Sequence, residues 1–153
     1  MKAVVQRVLS ARVSVDGEVV GHCGPGLLVL AAAHRNDTDK DAAKTADRIV
    51  GMRIFNDDEG RINLAIRDLP PSTEPRILAI SNFTLYGDPS KNRRPSFMEA
   101  APFERGKELF DALVGHLRSA DLVVSTGVFG ADMRVEVCND GPVTIIVETF
   151  PAS

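Results

Sequence analysis

The stretch SNFTLYG, residues 81–87, places two hydroxyl groups and an amide directly after the apolar run ILAI. In a strand that continued through it, side-chain alternation would put Ser81 and Phe83 on one face and Asn82 and Thr84 on the other. Hydroxyls at a strand end can bind a polar substrate, and Thr84 is a chemically plausible nucleophile, although no base stands at an evident position to activate it. A structural interpretation stays open, in which Thr84 favours β structure and Ser81 bonds to the backbone.

Three basic residues follow this stretch in the Gly- and Pro-containing segment GDPSKNRRPS. Lys91, Arg93 and Arg94 can supply a local positive field for a ligand that carries phosphate. The alternative is an ordinary solvated loop, which is what most charge runs are.

The segment NDGPVT, residues 139–144, lies between the strand-like runs MRVEV and TIIVET. Its Asp-Gly pair suits a tight hairpin, but Pro142 removes a backbone donor where the next strand would begin to pair. X-Pro bonds are the ones that readily become cis, and Gly141 removes the side chain that would crowd such a bend. The segment is therefore either a simple turn with a trans proline or a shaped backbone that exposes carbonyl oxygens as hydrogen-bond acceptors.

Standard catalytic and cofactor-binding patterns are absent from the sequence. His22, His34 and His116 are widely separated and have no metal-ligand spacing, so we predict no metal site. Cys23 follows His22 on a predicted strand, where neighbouring side chains point to opposite faces, so the pair is unsuited to nucleophilic catalysis. There is no G-x-S-x-G, Walker or dinucleotide-binding pattern, and we expect no cofactor.

The elements that position these residues begin with strands at both ends of the chain. Asp16-Gly17 between β-branched residues is the strongest short hairpin signal, and the apolar run 27–33 predicts a central strand buried on both faces. We expect a three-strand meander in the first thirty-odd residues, a strand through SNFTLYG, and three closing strands joined by two Gly-containing turns.

Two helices are predicted between these strands. Thr38 and Asp41 resemble a capping box, and apolar residues then recur at helical spacing, at Ala42, Ala43, Ala46, Ile49, Val50 and Ile54. Pro102 suits the first turn of a second helix, in which one face carries Phe103, Phe110, Leu113 and Leu117. The order of elements predicts a single α+β domain over residues 1–153, with a largely antiparallel sheet, closed or barrel-like in a dimer, and two packed helices.

Composition limits the classes of function. A net charge of −3 and a pI of about 5.6 argue against non-specific coating of nucleic acid, but they allow a local basic patch. The longest apolar run is far shorter than the ~20 residues of a membrane helix. The start of the chain has no signal-peptide pattern, so we expect a cytoplasmic protein in which Cys23 and Cys138 are free, part-buried thiols.

Along essentially its whole length, the sequence resembles the D-aminoacyl-tRNA deacylases. The segments that carry the resemblance are QRV at 6–8, GEVVG, GPGLLVL, RIFNDDEGRINL at 53–64, SNFTLYG at 81–87, RRPSF at 93–97 and GVFGADMRVEVCNDGPVT at 127–144. The resemblance implies hydrolysis of the ester that joins a D-amino acid to the 3′-terminal adenosine of tRNA. It also implies activity on glycyl-tRNA, including tRNA(Ala) mischarged with glycine, and rejection of L-aminoacyl esters.

In this family the Gly-Pro bond is cis and enters the active site of the other subunit of a homodimer. The resemblance therefore implies that the carbonyls of Gly141 and Pro142 hold the α-amino group of the substrate and leave no room for an L side chain. Arg7 is expected to help fix this motif, and Thr144 to stand beside the pocket.

The same resemblance assigns the pocket for the adenosine and the scissile ester to Ser81, Phe83 and Thr84. Asn82 stands where the family commonly has Gln, a change that would not affect a backbone N–H acting as oxyanion donor from that position. An aminoacyl ester is already activated, so a positioned water, a polarised carbonyl and the ribose 2′-hydroxyl as proton shuttle can suffice. We therefore favour catalysis by the backbone and the substrate's own hydroxyl over attack by Thr84.

The expected partners are D-aminoacyl-tRNA, with its backbone near Lys91, Arg93 and Arg94, and a second copy of the chain; neither a membrane nor DNA is expected. The main alternative is a non-catalytic dimeric module that binds RNA or DNA through those three residues and Phe97. The acidic pI and an aromatic content of 5% argue against it, because single-strand binders use stacking platforms. A weaker alternative is a hydrolase of other D-aminoacyl esters or peptides.

Overall fold

The structure is a computed structural model that describes residues 1–150, within which it has eight strands and two α-helices. The strands are β1 (Lys2–Val15), β2 (Glu18–Cys23), β3 (Gly26–Ala32), β4 (Phe55–Asn56), β5 (Ile62–Leu64), β6 (Ile77–Ser81), β7 (Val124–Thr126) and β8 (Arg134–Glu148). The helices are α1 (Asp39–Gly51), α2 (Phe103–Arg118) and the 3₁₀ turns Ile66–Asp68 and Phe83–Tyr86.

The long strand β1 organises the main sheet. One of its edges pairs with β8, and the other pairs first with β3 and then with β2, all antiparallel. Beyond β3 the sheet continues in parallel through β6 to β7, so the sheet is mixed. The small β4–β5 hairpin lies outside it. The predicted α+β domain with two helices is confirmed.

The main sheet curves until its two ends approach each other. The backbone N–H of His22 on β2 donates to the hydroxyl of Ser125 on β7 at 3.1 Å. A single chain therefore already forms a nearly barrel-shaped sheet, and closure within a dimer stays a prediction.

The three strands predicted for the start of the chain are present, but they pair in a different order. The hairpin at Asp16-Gly17 is confirmed, since Val15 faces Glu18 and both turn residues have positive φ. The buried central strand β3 is confirmed as well. The meander is wrong, because β1 is long enough for β2 and β3 to pair with different parts of the same strand.

Both helices pack on one face of the sheet and enclose the larger buried apolar cluster with it, while a smaller cluster lies among β1, β2, β3 and β6. The Asp41 carboxylate accepts hydrogen bonds from the backbone N–H of Thr38 at 2.8 Å and from its hydroxyl at 3.0 Å, which confirms the predicted start of α1. In α2 the predicted apolar face is buried, except that Phe103 is 59% exposed and lies against a cavity instead. No helix within residues 1–150 has the length and apolar character needed to cross a membrane.

The end of the chain differs from the predicted three strands. MRVEV and TIIVET belong to the same strand, β8, and both pair with β1. Between Gln6 and Ser10, the three residues 7–9 of β1 face the five residues 139–143 of β8, so β8 loops outward there. NDGPVT is thus a bulge within one long strand and not a hairpin turn.

Candidate functional site

A cavity of about 770 Å³ opens beside the carboxyl end of β6. Ser81, Asn82, Phe83 and Thr84 line it, so the structure brings these four predicted residues together. Their predicted alternation on a strand is wrong, because β6 ends at Ser81 and the chain then turns into the 3₁₀ helix. The cavity is of the size that holds small ligands in proteins.

The polar end of the cavity is organised by Asn82. Its backbone N–H donates to the carbonyl of Ala31 at 2.8 Å, and its side-chain oxygen accepts the hydroxyl proton of Thr84. The N–H of Asn82 is therefore already used within the chain, so it is not a free donor for an oxyanion. A neutral amide oxygen is also no base for Thr84.

Two other backbone donors at this end are free. Within residues 1–150, the N–H groups of Phe83 and Thr84 have no acceptor, because the bonds of the 3₁₀ helix begin with the N–H of Leu85. They lie next to the cavity and can bind a carbonyl oxygen that gains negative charge.

The other end of the cavity is aromatic, and its main residues were missed by the sequence reasoning. Phe103 and Phe129 pack edge to face with ring centroids 5.1 Å apart, and Phe110 lies beside Phe129. Gly130, with φ +78°, leaves room for the Phe103 ring, and Asp132 adds a carboxylate to the cavity wall. The sequence signal for Phe129 and Gly130 is GVFGADM, part of one of the segments that carry the family resemblance.

The bulge that carries Gly141 and Pro142 projects from β8. Both residues are exposed, the bond between them is cis, and neither lines the cavity of the described chain. Arg7, only 7% exposed, holds the bulge: its Nε donates to the Asp140 carbonyl at 3.1 Å and its Nη1 donates to the Ile54 carbonyl at 2.8 Å. The predicted neighbourhood of Arg7 and the motif is thus present in one chain.

Asn139, which the sequence reasoning did not single out, closes the neck of the bulge. Its Oδ1 accepts the N–H of Val143 at 2.9 Å and its Nδ2 donates to the carbonyl of Val143 at 3.2 Å. The hydroxyl of Thr144 accepts from Nε2 of Gln6 at 3.1 Å, and Gln6 lines the cavity. Thr144 therefore contacts the cavity wall, although it is not part of it.

The basic residues lie on an exposed loop next to the cavity. Paired backbone bonds of 2.8 and 2.9 Å between Asp88 and Ser96 close this loop. Directly after it, Phe97 packs edge-on against Phe83 with ring centroids 5.2 Å apart. The loop that carries Lys91, Arg93 and Arg94 thus returns to the cavity rim, with all three side chains exposed.

Neither cysteine lines the cavity. Burial raises the pKa of the Cys23 thiol to about 11, so this thiol stays protonated at neutral pH. Cys138 is exposed, and the prediction that it is part-buried is wrong.

Comparisons with known sequences agree over nearly the whole chain. The family described as D-Tyr-tRNA(Tyr) deacylase matches residues 4–148. A D-aminoacyl-tRNA deacylase of Geobacter sulfurreducens is 50% identical over 149 residues, which cover 97% of this chain and 95% of the relative. A protein of the same name from Geobacter metallireducens is 48% identical and covers 100% of this chain and 99% of its own.

Two solved structures share the fold. The c-Myc DNA Unwinding Element Binding Protein superposes with a TM-score of 0.88 at 36% identity, covering 97% of this chain and 99% of its own. A probable eukaryotic D-amino acid tRNA deacylase superposes with a TM-score of 0.79, covering 95% and 97%, and its 19% identity makes it evidence for the fold alone.

Proposed function

Because the chain belongs to the D-Tyr-tRNA(Tyr) deacylase family, we propose that it is a hydrolase that releases D-amino acids from D-aminoacyl-tRNA. The observation that carries this proposal is that the family match spans both the polar end of the cavity, residues 81–84, and the bulge at residues 139–143. A substrate made for translation would place the enzyme in the cytoplasm.

In the proposed complex, the terminal adenosine occupies the cavity and its base lies toward the aromatic end. The ester carbonyl then points to the N–H groups of Phe83 and Thr84, which stabilise the negative charge that develops on its oxygen. Water attacks the carbonyl carbon and passes a proton through the ribose 2′-hydroxyl to the 3′ oxygen. The carbon–oxygen bond to the ribose breaks and leaves free tRNA and the amino acid.

This route needs no protein nucleophile. The hydroxyl of Thr84 is engaged with the neutral amide of Asn82, which cannot take its proton. Ser81 and Thr84 therefore shape the pocket and contact the substrate, and the activated ester and the positioned water do the chemistry.

Chiral selection is assigned to Gly141 and Pro142 of a second subunit. Both residues are exposed on a bulge and do not line the cavity of their own chain, which leaves them accessible to the cavity of another chain and supports this assignment. Their carbonyls would hold the α-amino group and exclude an L side chain. Glycine has no side chain to exclude, so glycyl-tRNA, including tRNA(Ala) mischarged with glycine, is accepted.

The homodimer that this arrangement requires has a suitable surface. β8 is an edge strand, since within residues 1–150 only β1 pairs with it. Leu9, Val137 and Ile146 expose 53%, 40% and 72% of their surface on β1 and β8. A long edge strand with exposed apolar side chains is a template for association with another chain.

The loop with Lys91, Arg93 and Arg94 is proposed to contact the tRNA backbone near the acceptor end. It borders Phe83 at the cavity rim through Phe97, so a nucleic acid with its terminal nucleotide in the cavity would pass these cations. Such contacts would make the KM rise with ionic strength.

A nucleic-acid-binding module is the second candidate, because one structural relative is named for binding a DNA unwinding element. We favour the deacylase, and do not expect DNA as the partner of this chain. The purified protein is to be incubated with D-tyrosyl-tRNA, with D-tyrosine ethyl ester and with labelled single- and double-stranded DNA. The proposal expects fast hydrolysis of the tRNA ester only; DNA binding without ester hydrolysis would replace it with the module, and equal hydrolysis of the ethyl ester would indicate a general esterase.

A further inference from the structure

The bulge that carries Gly141 and Pro142 lacks the support that a paired strand would have. Residues 140–143 loop out from β1 between Asn139, which faces Val8, and Thr144, which faces Gln6, and Pro142 has no N–H to donate. An exposed backbone of this kind keeps a fixed shape only if side chains supply the missing hydrogen bonds.

Asn139 supplies these bonds at the neck of the bulge. Its amide pairs with both backbone groups of Val143, accepting the N–H at 2.9 Å and donating to the carbonyl at 3.2 Å. This is the pattern that a neighbouring strand would offer, and it is made by a residue of the same strand four positions earlier.

Val143 lies directly against Gly141. A β-carbon added at Gly141 would meet the Val143 backbone nitrogen and side chain, each at 2.7 Å, so these two residues are in close contact. On the other side, Arg7 holds Asp140 through its carbonyl at 3.1 Å. The two exposed residues are thus held from both ends, by Arg7 before them and by Asn139 after them.

We propose that Asn139 is a positioning residue for chiral selection: its amide fixes Val143 and, through it, the carbonyls of Gly141 and Pro142. This inference rests on the proposed function. A selection based on the shape of a backbone fails when that backbone shifts by a fraction of an ångström. Loss of the amide should therefore lower the D/L ratio of kcat/KM, even in protein that remains folded.

The test compares kcat/KM for D-tyrosyl-tRNA and L-tyrosyl-tRNA in the wild type, Asn139→Ala and Asn139→Asp. We expect the D/L ratio to fall at least tenfold in Asn139→Ala. Asn139→Asp keeps an acceptor for the Val143 N–H but loses the donor, so its ratio should lie between those of the wild type and Asn139→Ala. Ser119→Ala, which removes an exposed side-chain hydrogen bond to the carbonyl of Gly115 at the end of α2, is the control and should keep the wild-type ratio.

The ratio separates positioning from stability, because a smaller folded fraction lowers both rates by the same factor. A D/L ratio in Asn139→Ala within twofold of the wild type overturns the inference. If Asn139→Ala does not fold, the ratio in Asn139→Asp decides: a fall supports the inference and a wild-type ratio overturns it. A wild-type protein that hydrolyses neither ester, or both equally, contradicts the proposed function itself.

Discussion

At the scale of single residues, the proposed chemistry depends on backbone groups more than on reactive side chains. The free N–H groups of Phe83 and Thr84 are suited to an oxyanion, whereas the hydroxyl of Thr84 bonds to an amide that cannot act as a base. The side-chain oxygen of Asn82 accepts the hydroxyl proton of Thr84, so Thr84 has no base that could make it a nucleophile. The backbone N–H of Asn82 fixes the start of the 3₁₀ turn through its bond to the carbonyl of Ala31.

Thr84→Ala should retain much of its activity toward D-tyrosyl-tRNA. The substitution keeps the backbone N–H that binds the carbonyl and removes only a hydroxyl that has no base. The first-order rate constant of hydrolysis in single-turnover kinetics measures this, with Thr73→Ala in an exposed loop as control. A loss of ~10³-fold or more, the size expected for a removed key group, would show that the hydroxyl takes part in the reaction.

Pro142→Ala should lower the D/L ratio of kcat/KM by a larger factor than Thr84→Ala or Thr144→Ala lowers the rate of hydrolysis of the D ester. Alanine frees a φ angle that proline fixes, so the bulge loses its defined shape. The D/L ratio of kcat/KM is to be compared with that of Thr84→Ala and Thr144→Ala. Equal D/L discrimination in the wild type and Pro142→Ala would refute the role assigned to this backbone.

At the scale of elements, the turns and helix ends that depend on residues close in sequence could be predicted. The Asp16-Gly17 hairpin and the Thr38–Asp41 cap depend on residues within a few positions of each other, and both are present. The bulge in β8 could not be predicted, because it arises only when MRVEV and TIIVET both pair with β1, more than a hundred residues away in the chain. The 3₁₀ turn after Ser81 was missed because a strand pattern does not reveal where the sheet ends.

The same limit applies to the candidate site. The misplaced Pro142 and the hydroxyls at the strand end drew attention to residues 81–84 and 141–142, and the family resemblance assigned them to a site. Phe103 and Phe129 were not recognised as cavity residues, because an aromatic side chain at helical or loop spacing usually indicates core. Their shared role follows from the meeting of α2 with the loop before β8.

Arg7 connects three elements, β1, the segment before β4 and the bulge, and its removal should destabilise the fold. Arg7→Ala leaves the buried carbonyl of Ile54 without a donor, at a cost of about 1–3 kcal/mol, and also frees the part-buried carbonyl of Asp140. Urea unfolding should show this loss, while Arg12→Ala, which removes an exposed ion pair with Glu136, should show little. Equal stability of the two variants would mean that Arg7 does not anchor the bulge.

At the scale of the whole molecule, one chain holds a cavity and a motif that do not meet. The cavity lies beside β6 and the bulge projects from β8 toward solvent. In the proposed homodimer, each bulge would complete the other chain's cavity. The exposed apolar residues on β1 and β8 are consistent with burial in such an interface.

The protein should therefore elute from gel filtration at twice the 16.5 kDa mass of one chain. Light scattering on the same column gives the mass without assumptions about shape. Activity carried by a stable monomer would exclude the transfer of Gly141 and Pro142 into a neighbouring site.

The most direct test of the central claim is a comparison of D- and L-tyrosyl-tRNA as substrates of the wild-type protein. At equal ester concentrations, the initial rates of tyrosine release are to be measured with and without enzyme. The account predicts rapid release from the D ester and a far slower enzyme-dependent release from the L ester. Equal release from both esters, or none from the D ester, would contradict it.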